Sequence, residues 1–298
     1  MFPHVCNFAR NQRLPSLAVL SCLSALLGCS LFSAIDPIQS VTSKRSVLPP
    51  LQASPDAIQL EIFFLERPAE DPLLAAGPTG IWRDVDQIGA LKAETRESLN
   101  ENGFRIGHYS SNPPPSIQKL LGWVSEITTE SQDYARPLMG RHQFLAPGIE
   151  TEIPTGIERE QCEFVLRDKD DTKTFAYEKV CCVMRMKAHR LQDGWVRVDF
   201  VPEIHHGDRK LRPTYTHTEG GMSYKGGQNV DALLTHRFSV TMNVGETMLM
   251  TSNPDADESL GDRFFCHEVG GTENQRILKK QRILLIKIVD AGKPQSHR

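Results

Sequence analysis

Residues 180–200 read VCCVMRMKAHRLQDGWVRVDF, and this stretch decides the class of the fold. Met184, Met186 and Ala188 fall on one face of an extended chain, with Arg185, Lys187 and His189 on the other. That is the period of two expected of a strand with one buried face. Asp193-Gly194 follows, a strong short-range hairpin signal. Val196, Val198 and Phe200 then resume the alternation. The stretch therefore predicts two antiparallel strands packed by one face onto a core.

The same period extends outward in both directions. Phe164-Val165-Leu166 and Phe175-Ala176-Tyr177 read as strands before the hairpin. After it, Phe238, Val240, Met242 and Val244 alternate with Ser239, Thr241 and Asn243, and Gly245 breaks the pattern before Thr247 to Met250. Ile283 to Val289 (ILLIKIV) is apolar at nearly every position, as a central strand requires. Towards the front, Ala57 to Glu66 (AIQLEIFFLE) is a strand ended by Arg67-Pro68. Ile81, Trp82, Val85 and Ile88 recur at helical spacing, and Leu91 and Leu99 carry that face on to a stop at Asn102-Gly103. Phe104 to Tyr109 is a short strand, and after three prolines Ser116 is expected to cap a helix holding Ile117, Leu120 and Leu121. The expectation is an α+β, β-dominated chain. Its folded part is 57–292: a strand-helix-strand-helix region over 57–125, a mainly antiparallel sheet over 140–292, then a tail at 293–298.

Composition bounds the rest. The 298 residues are 39% hydrophobic and 24% charged, with a formal net charge of −3. This balance supports a real core and excludes collagen, a coiled coil and wholesale disorder. A charge so near zero argues against a nucleic-acid partner for the chain as a whole.

The first residues are read as an address rather than as fold. Arg10 and Arg13 precede the apolar run Leu17 to Leu27, with no acid before Asp36. Eleven apolar residues fall short of the about 20 that a spanning helix needs and fit a secretory signal. Leu26-Leu27-Gly28-Cys29 resembles the lipobox of bacterial lipoproteins. The resemblance implies a signal over 1–28, cut before Cys29, and a lipid on that cysteine. Ser30 in second place leans towards the outer membrane facing the periplasm. Residues 29–56, rich in Ser and Pro, read as a flexible tether.

The order of the pieces resembles the core domain of secretins, the ring-forming channels of type II and type III secretion. The residues that carry it are Leu60–Glu66, Arg105 to Pro113, and Ala146-Pro147-Gly148 to Pro154. They continue with Tyr177-Glu178-Lys179-Val180, Phe200-Val201-Pro202-Glu203-Ile204, Gly245-Glu246-Thr247, Leu260-Gly261 to Phe265, and Arg282 to Val289. The resemblance spans Ala57 to Val289. It implies a secretin-like core, a homo-oligomer and envelope or secretion-system proteins as partners. The small domains that precede the core in that family have no counterpart here, and only Asn253-Pro254 and Leu260-Gly261 remain of its proline-rich stretch.

Chemistry is sparse. Thr214 to Gln228 (TYTHTEGGMSYKGGQ) holds four glycines and few apolar residues, so it reads as a mobile loop, the usual place for binding surfaces. Its candidate residues are Gly220, Gly221, Tyr224, Lys225, Gly226 and Gly227. Cys162, Cys181, Cys182 and Cys266 remain after the signal and the lipid site. One disulfide, from Cys162 to Cys181 or Cys182, stands against four buried free thiols. His189, His205, His206, His217, His236 and His267 cluster in the β part without a recognised metal-ligand spacing. No nucleophile elbow, phosphate loop or calcium loop is present. The reading is a non-enzymatic envelope lipoprotein without cofactor or metal. The alternatives are an exported metal-dependent or hydrolytic enzyme, or a ligand-binding envelope module.

Overall fold

The computed structural model describes residues 56–292 except 76–79, 124–136, 169–170, 193, 217–220 and 271–277. The signal (1–28), Cys29, the tether up to residue 55, Gly220, His217 and the tail at 293–298 lie outside the described residues. In chain order the elements are β1 (Ile58–Pro68), α1 (Ala93–Glu101), β2 (Phe104–Tyr109), α2 (Pro115–Leu120), β3 (Pro137–Leu145), β4 (Glu150–Pro154), β5 (Arg159–Asp168) and β6 (Asp171–Arg190). They continue as β7 (Trp195–Thr216), β8 (Gly221–Ala232), β9 (Phe238–Asn243), β10 (Thr247–Ser252), α3 (Leu260–Phe265), β11 (Cys266–Val269) and β12 (Leu278–Asp290).

The strands form two six-stranded sheets. The first runs β2-β10-β12-β1-β3, with β11 on the early part of β12; the second runs β4-β6-β7-β8, with β5 on β6 and β9 on β7. Every ladder between these strands is antiparallel. The chain is thus β-dominated and antiparallel, as its alternation requires.

The pleat explains the packing. Ile58, Leu60 and Ile62 of β1, Met248 and Met250 of β10, and Leu284, Ile286 and Ile288 of β12 face the second sheet. There they meet Met184, Met186 and Ala188 of β6, Val196, Val198 and Phe200 of β7, and Val240 and Met242 of β9. The opposite face of the first sheet is buried too. Leu65, Leu249, Ile283 and Leu285 lie under Leu74, Ile81, Trp82, Val85, Ile117 and Leu120. Burial on both faces is why ILLIKIV carries so little polarity. Each such side chain contributes roughly 1.5–3 kcal/mol on leaving water.

Arginines tie the sheets where the apolar core ends. Arg190 donates from Nε to the Ala291 carbonyl at 2.6 Å and also bonds the Asp56 carbonyl. Arg282 donates to the Thr155 carbonyl at 2.8 Å and to Glu66 at 2.9 Å. Arg159 bonds the carbonyls of Arg263 and Cys266 at the end of α3. The start of α3 sits on β2 so closely that a Cβ on Gly261 would lie 1.9 Å from the Gly103 carbonyl oxygen. Only a glycine fits there.

Three local expectations are corrected. Residues 81–88 do not continue the helix: they form a single 3-10 turn, Ile81–Arg83, and then a bridge from Asp86 to His108. The Asp86 carboxylate accepts from the Ile88 and Gly89 amides, each at 2.8 Å, which stops helix propagation there. Ile88 is consequently exposed. Ser116 does not cap α2: Pro114 holds the cap position and Ser116 is buried inside the first turn. Pro114 is extended at the cap, and Pro115 opens the helix at the position where a missing N–H costs nothing. Finally, Phe238–Asn243 and Thr247–Ser252 are consecutive in sequence yet lie in different sheets, with Gly245 at φ 91° between them. Regions 57–125 and 140–292 share a sheet, because β1 and β2 are bound to β12 and β10.

Candidate functional site: a fork between two hairpins

β6 and β7 pair from Arg190↔Val196 to Cys181↔His205 and then part. Beyond that point β6 pairs with β5, down to Asp168↔Asp171, and β7 pairs with β8, out to Thr216↔Gly221. Two long hairpins therefore leave one sheet in a fork. Both diverging strands turn at an unusual backbone position. Lys179 has φ 52° and Gly207 has φ 75°, and the β7–β8 register shifts between His206 and Lys210.

A polar cluster holds the crotch of the fork. The Tyr177 hydroxyl donates to Asp231 at 2.5 Å, and its ring lies 4.2 Å from that of His206. His206 in turn reaches Asp231 at 3.4 Å. Gln228 donates to both turning backbones, at 2.5 Å to the Lys179 carbonyl and 2.9 Å to the Gly207 carbonyl. Lys179 and Asp208 form an ion pair across the gap. Burial, reinforced by the Asp231 carboxylate, pushes the Tyr177 phenol up to about 12. The Lys179 ammonium holds the Asp208 carboxyl below its ordinary value. One step into the sheet, buried Glu203 is held by Arg185 at 2.9 Å and His205 at 3.0 Å.

The segment expected to be a mobile Gly-rich loop is this second hairpin, which corrects that reading. Gly221, Tyr224, Lys225, Gly226 and Gly227 belong to β8, paired with Thr216, Pro213, Arg212, Leu211 and Lys210 respectively. Backbone pairing needs no side chain, so glycines cost conformational entropy here but do not prevent the ladder. The alternation of Thr214, Tyr215 and Thr216 was the strand signal in that stretch. The hairpin carries Leu211, 73% exposed, and Val230, 47% exposed.

The remaining candidates do not converge. Cys162, Cys181, Cys182 and Cys266 are all free thiols. Burial drives Cys182 far above an ordinary thiol and Cys266 to about 12, which disfavours the thiolate of both. The histidines sit apart with separate partners: His189 on Asp199, His205 on Glu203, His206 on Asp231 and His267 on Glu66. Among the described residues no group of three or more His, Cys, Asp or Glu is arranged to hold a metal ion. No described helix is long and apolar enough to cross a membrane, which leaves strands unaddressed.

Fold and fork together define an α+β protein of two packed antiparallel sheets, one of them prolonged into hairpins. No family model matches the chain, and no curated protein matches it. Among solved structures it is similar to the InvG secretin domain β-barrel from the Salmonella SPI-1 injectisome NC-base, at 9% identity and a TM-score of 0.20. The match covers 81% of this chain and 64% of that one, so the chain spans less than two thirds of its length.

Proposed function

We propose that the chain is a non-enzymatic cell-envelope lipoprotein whose secretin-like domain acts in assembly or binding at the outer membrane, in the service of protein secretion. The observation that carries this reading is the β7–β8 hairpin, which runs past its sheet with two strand edges and an exposed Leu211. An uncovered edge presents a row of backbone donors and acceptors, a template for pairing with another chain. The lipobox-like Cys29 supplies the anchor, and a diacylated or triacylated cysteine gives stable attachment where a single chain does not.

Two measurements test the reading. Negative-stain images and mass photometry of the purified chain are expected to show a ring or other closed oligomer, lost when Lys210–Gly227 is replaced by a short turn. Uniform monomers at high concentration would overturn the assembly role. Cys29→Ser is expected to move the protein from the membrane to the soluble fraction; unchanged partitioning removes the anchor.

A further inference from the structure

Among the described strands β2 is the edge of the first sheet. The chain at Asp86 starts to pair with it: Asp86 and His108 exchange both backbone bonds, each at 2.9 Å. Continued antiparallel, this ladder would set residue 88 opposite Ile106. The Asp86 carboxylate stops it by accepting from the Ile88 and Gly89 amides, and Ile88 turns out to 76% exposure. His108 bonds outward, and alternate residues of a strand bond to the same side. The Ile106 amide and carbonyl therefore point outward too, and no described backbone group meets them there. A cleft of about 360 Å³ opens at this point, lined by Ile106, Ile88 and Leu91. Its volume is that of a ligand site, within ~300–1,000 Å³.

Arg105 brings an oriented charge to the same cleft. Its guanidinium lies 4.5 Å from the centroid of the Trp82 ring, and its Nε donates to Gln87 at 3.2 Å. Stacking and one bond fix the plane and use one of five N–H groups. Among the described residues the two Nη groups make no hydrogen bond or ion pair. Burial pulls Arg105 below the ordinary guanidinium value, with Asp255 opposing from beyond ion-pair distance. The charge is thus partly stripped of water and lacks a close anion. Arg96, Glu97 and Asp255 complete the charged lining. Two arginines and two acids sum to zero, so a polyanion gains little and one carboxylate on Arg105 suffices.

An open strand edge is a template for an extended chain. A charge beside it, set for a bidentate carboxylate, marks where that chain ends. We propose that this cleft binds the C-terminal end of an extended peptide. The peptide backbone pairs with Ile106, its terminal carboxylate lies on Arg105, and an apolar side chain rests on Ile88 and Leu91. The site is on β2, apart from the fork, and its test does not depend on assembly.

The experiment titrates the purified full chain with acetyl-Ala-Val-Leu, following tryptophan emission and, independently, calorimetric heat. The comparison probes are the same peptide as its C-terminal amide, the same acid N-methylated at every amide, acetyl-Ala-Val-Asp as its C-terminal amide, and 4-methylpentanoate. Saturable binding of the free acid is expected, at least tenfold tighter than that of each comparison probe. Arg105→Met is expected to bring the free acid down to the affinity of its amide, and Ile88→Asp to weaken it at least fivefold. Circular dichroism checks that both variants fold, and the probe series stands without them. Absence of saturable binding, a comparison probe that matches the free acid, or an acid-over-amide preference that survives Arg105→Met would overturn the proposal.

Discussion

β12 and the outer part of β7 are strands of the same chain with opposite circumstances. β12 lies in the middle of the first sheet, between β1 and β10, and is covered on both faces. The outer half of β7, Lys210–Thr216, pairs with β8 alone among the described strands. In β12 the side chains decide the register, because a one-residue slip would carry Lys287 onto the face that Leu284, Ile286 and Ile288 bury against the second sheet. In the fork the backbone and a handful of polar contacts decide it: Tyr177 on Asp231 and Gln228 on two carbonyls. Apolar burial is spread over many residues, whereas a polar fork is held by a few. The first is hard to weaken at one point and costly when it is; the second is cheap to change and local in effect.

The largest expected effect breaks the core side of this contrast. Ile286→Ala, fully buried between the sheets, should cost about 2–5 kcal/mol, while Leu211→Ala in the hairpin should stay within about 0.5 kcal/mol. Urea denaturation of both variants compares them directly, and equal losses would erase the distinction. Next, Arg282→Met removes the bonds to Thr155 and Glu66 and leaves the partly buried Glu66 with His267 beside it. A loss of about 1.5–3 kcal/mol is expected, read as a lower urea midpoint with unchanged slope. Gly261→Ala forces α3 away from Gly103 and should cost about 1–3 kcal/mol, visible as a fall in melting temperature.

The smallest effect sharpens the fork side. The folded pKa of Tyr177 is raised to about 12 against about 10 for a free phenol. Its contribution is therefore complete below pH 10 and is lost as pH climbs from about 10 to 12, where the unfolded phenol ionises first. Tyr177→Phe should flatten that part of the stability-versus-pH curve and leave the neutral region's slope unchanged. An identical alkaline slope would mean that the phenol is not held by burial and Asp231.

Legibility in the sequence followed the same division. Strands with a buried face announced themselves: Met184, Met186 and Ala188 in one line, and ILLIKIV as a doubly covered centre. Which strands share a sheet was not legible, because pairing partners such as Leu60 and Ile288 are brought together only by the whole topology. Neighbours in sequence, β9 and β10, went to different sheets. The helical reading of 81–88 failed on one carboxylate, Asp86, whose bonds to two backbone amides outweighed a fair apolar spacing. The fork was hidden for a related reason. Tyr177, His206 and Asp231 are far apart along the chain, and no local pattern joins them. The glycines of β8 looked like a loop because turn propensity is visible in residues and backbone pairing is not.

The place of β12 also has a consequence in time. Its thirteen residues, Leu278–Asp290, are the last to be made of all the described strands, yet they stand between β1 and β10. Until they emerge, β1 has no partner on that side, and neither β10 nor β2 is joined to it. A growing polypeptide can therefore close the second sheet's hairpins early but not the first sheet, whose contacts span more than two hundred residues from Leu60 to Ile288. Such long-range closure is slow. Closure of the first sheet therefore waits on the last of the described strands to leave the ribosome.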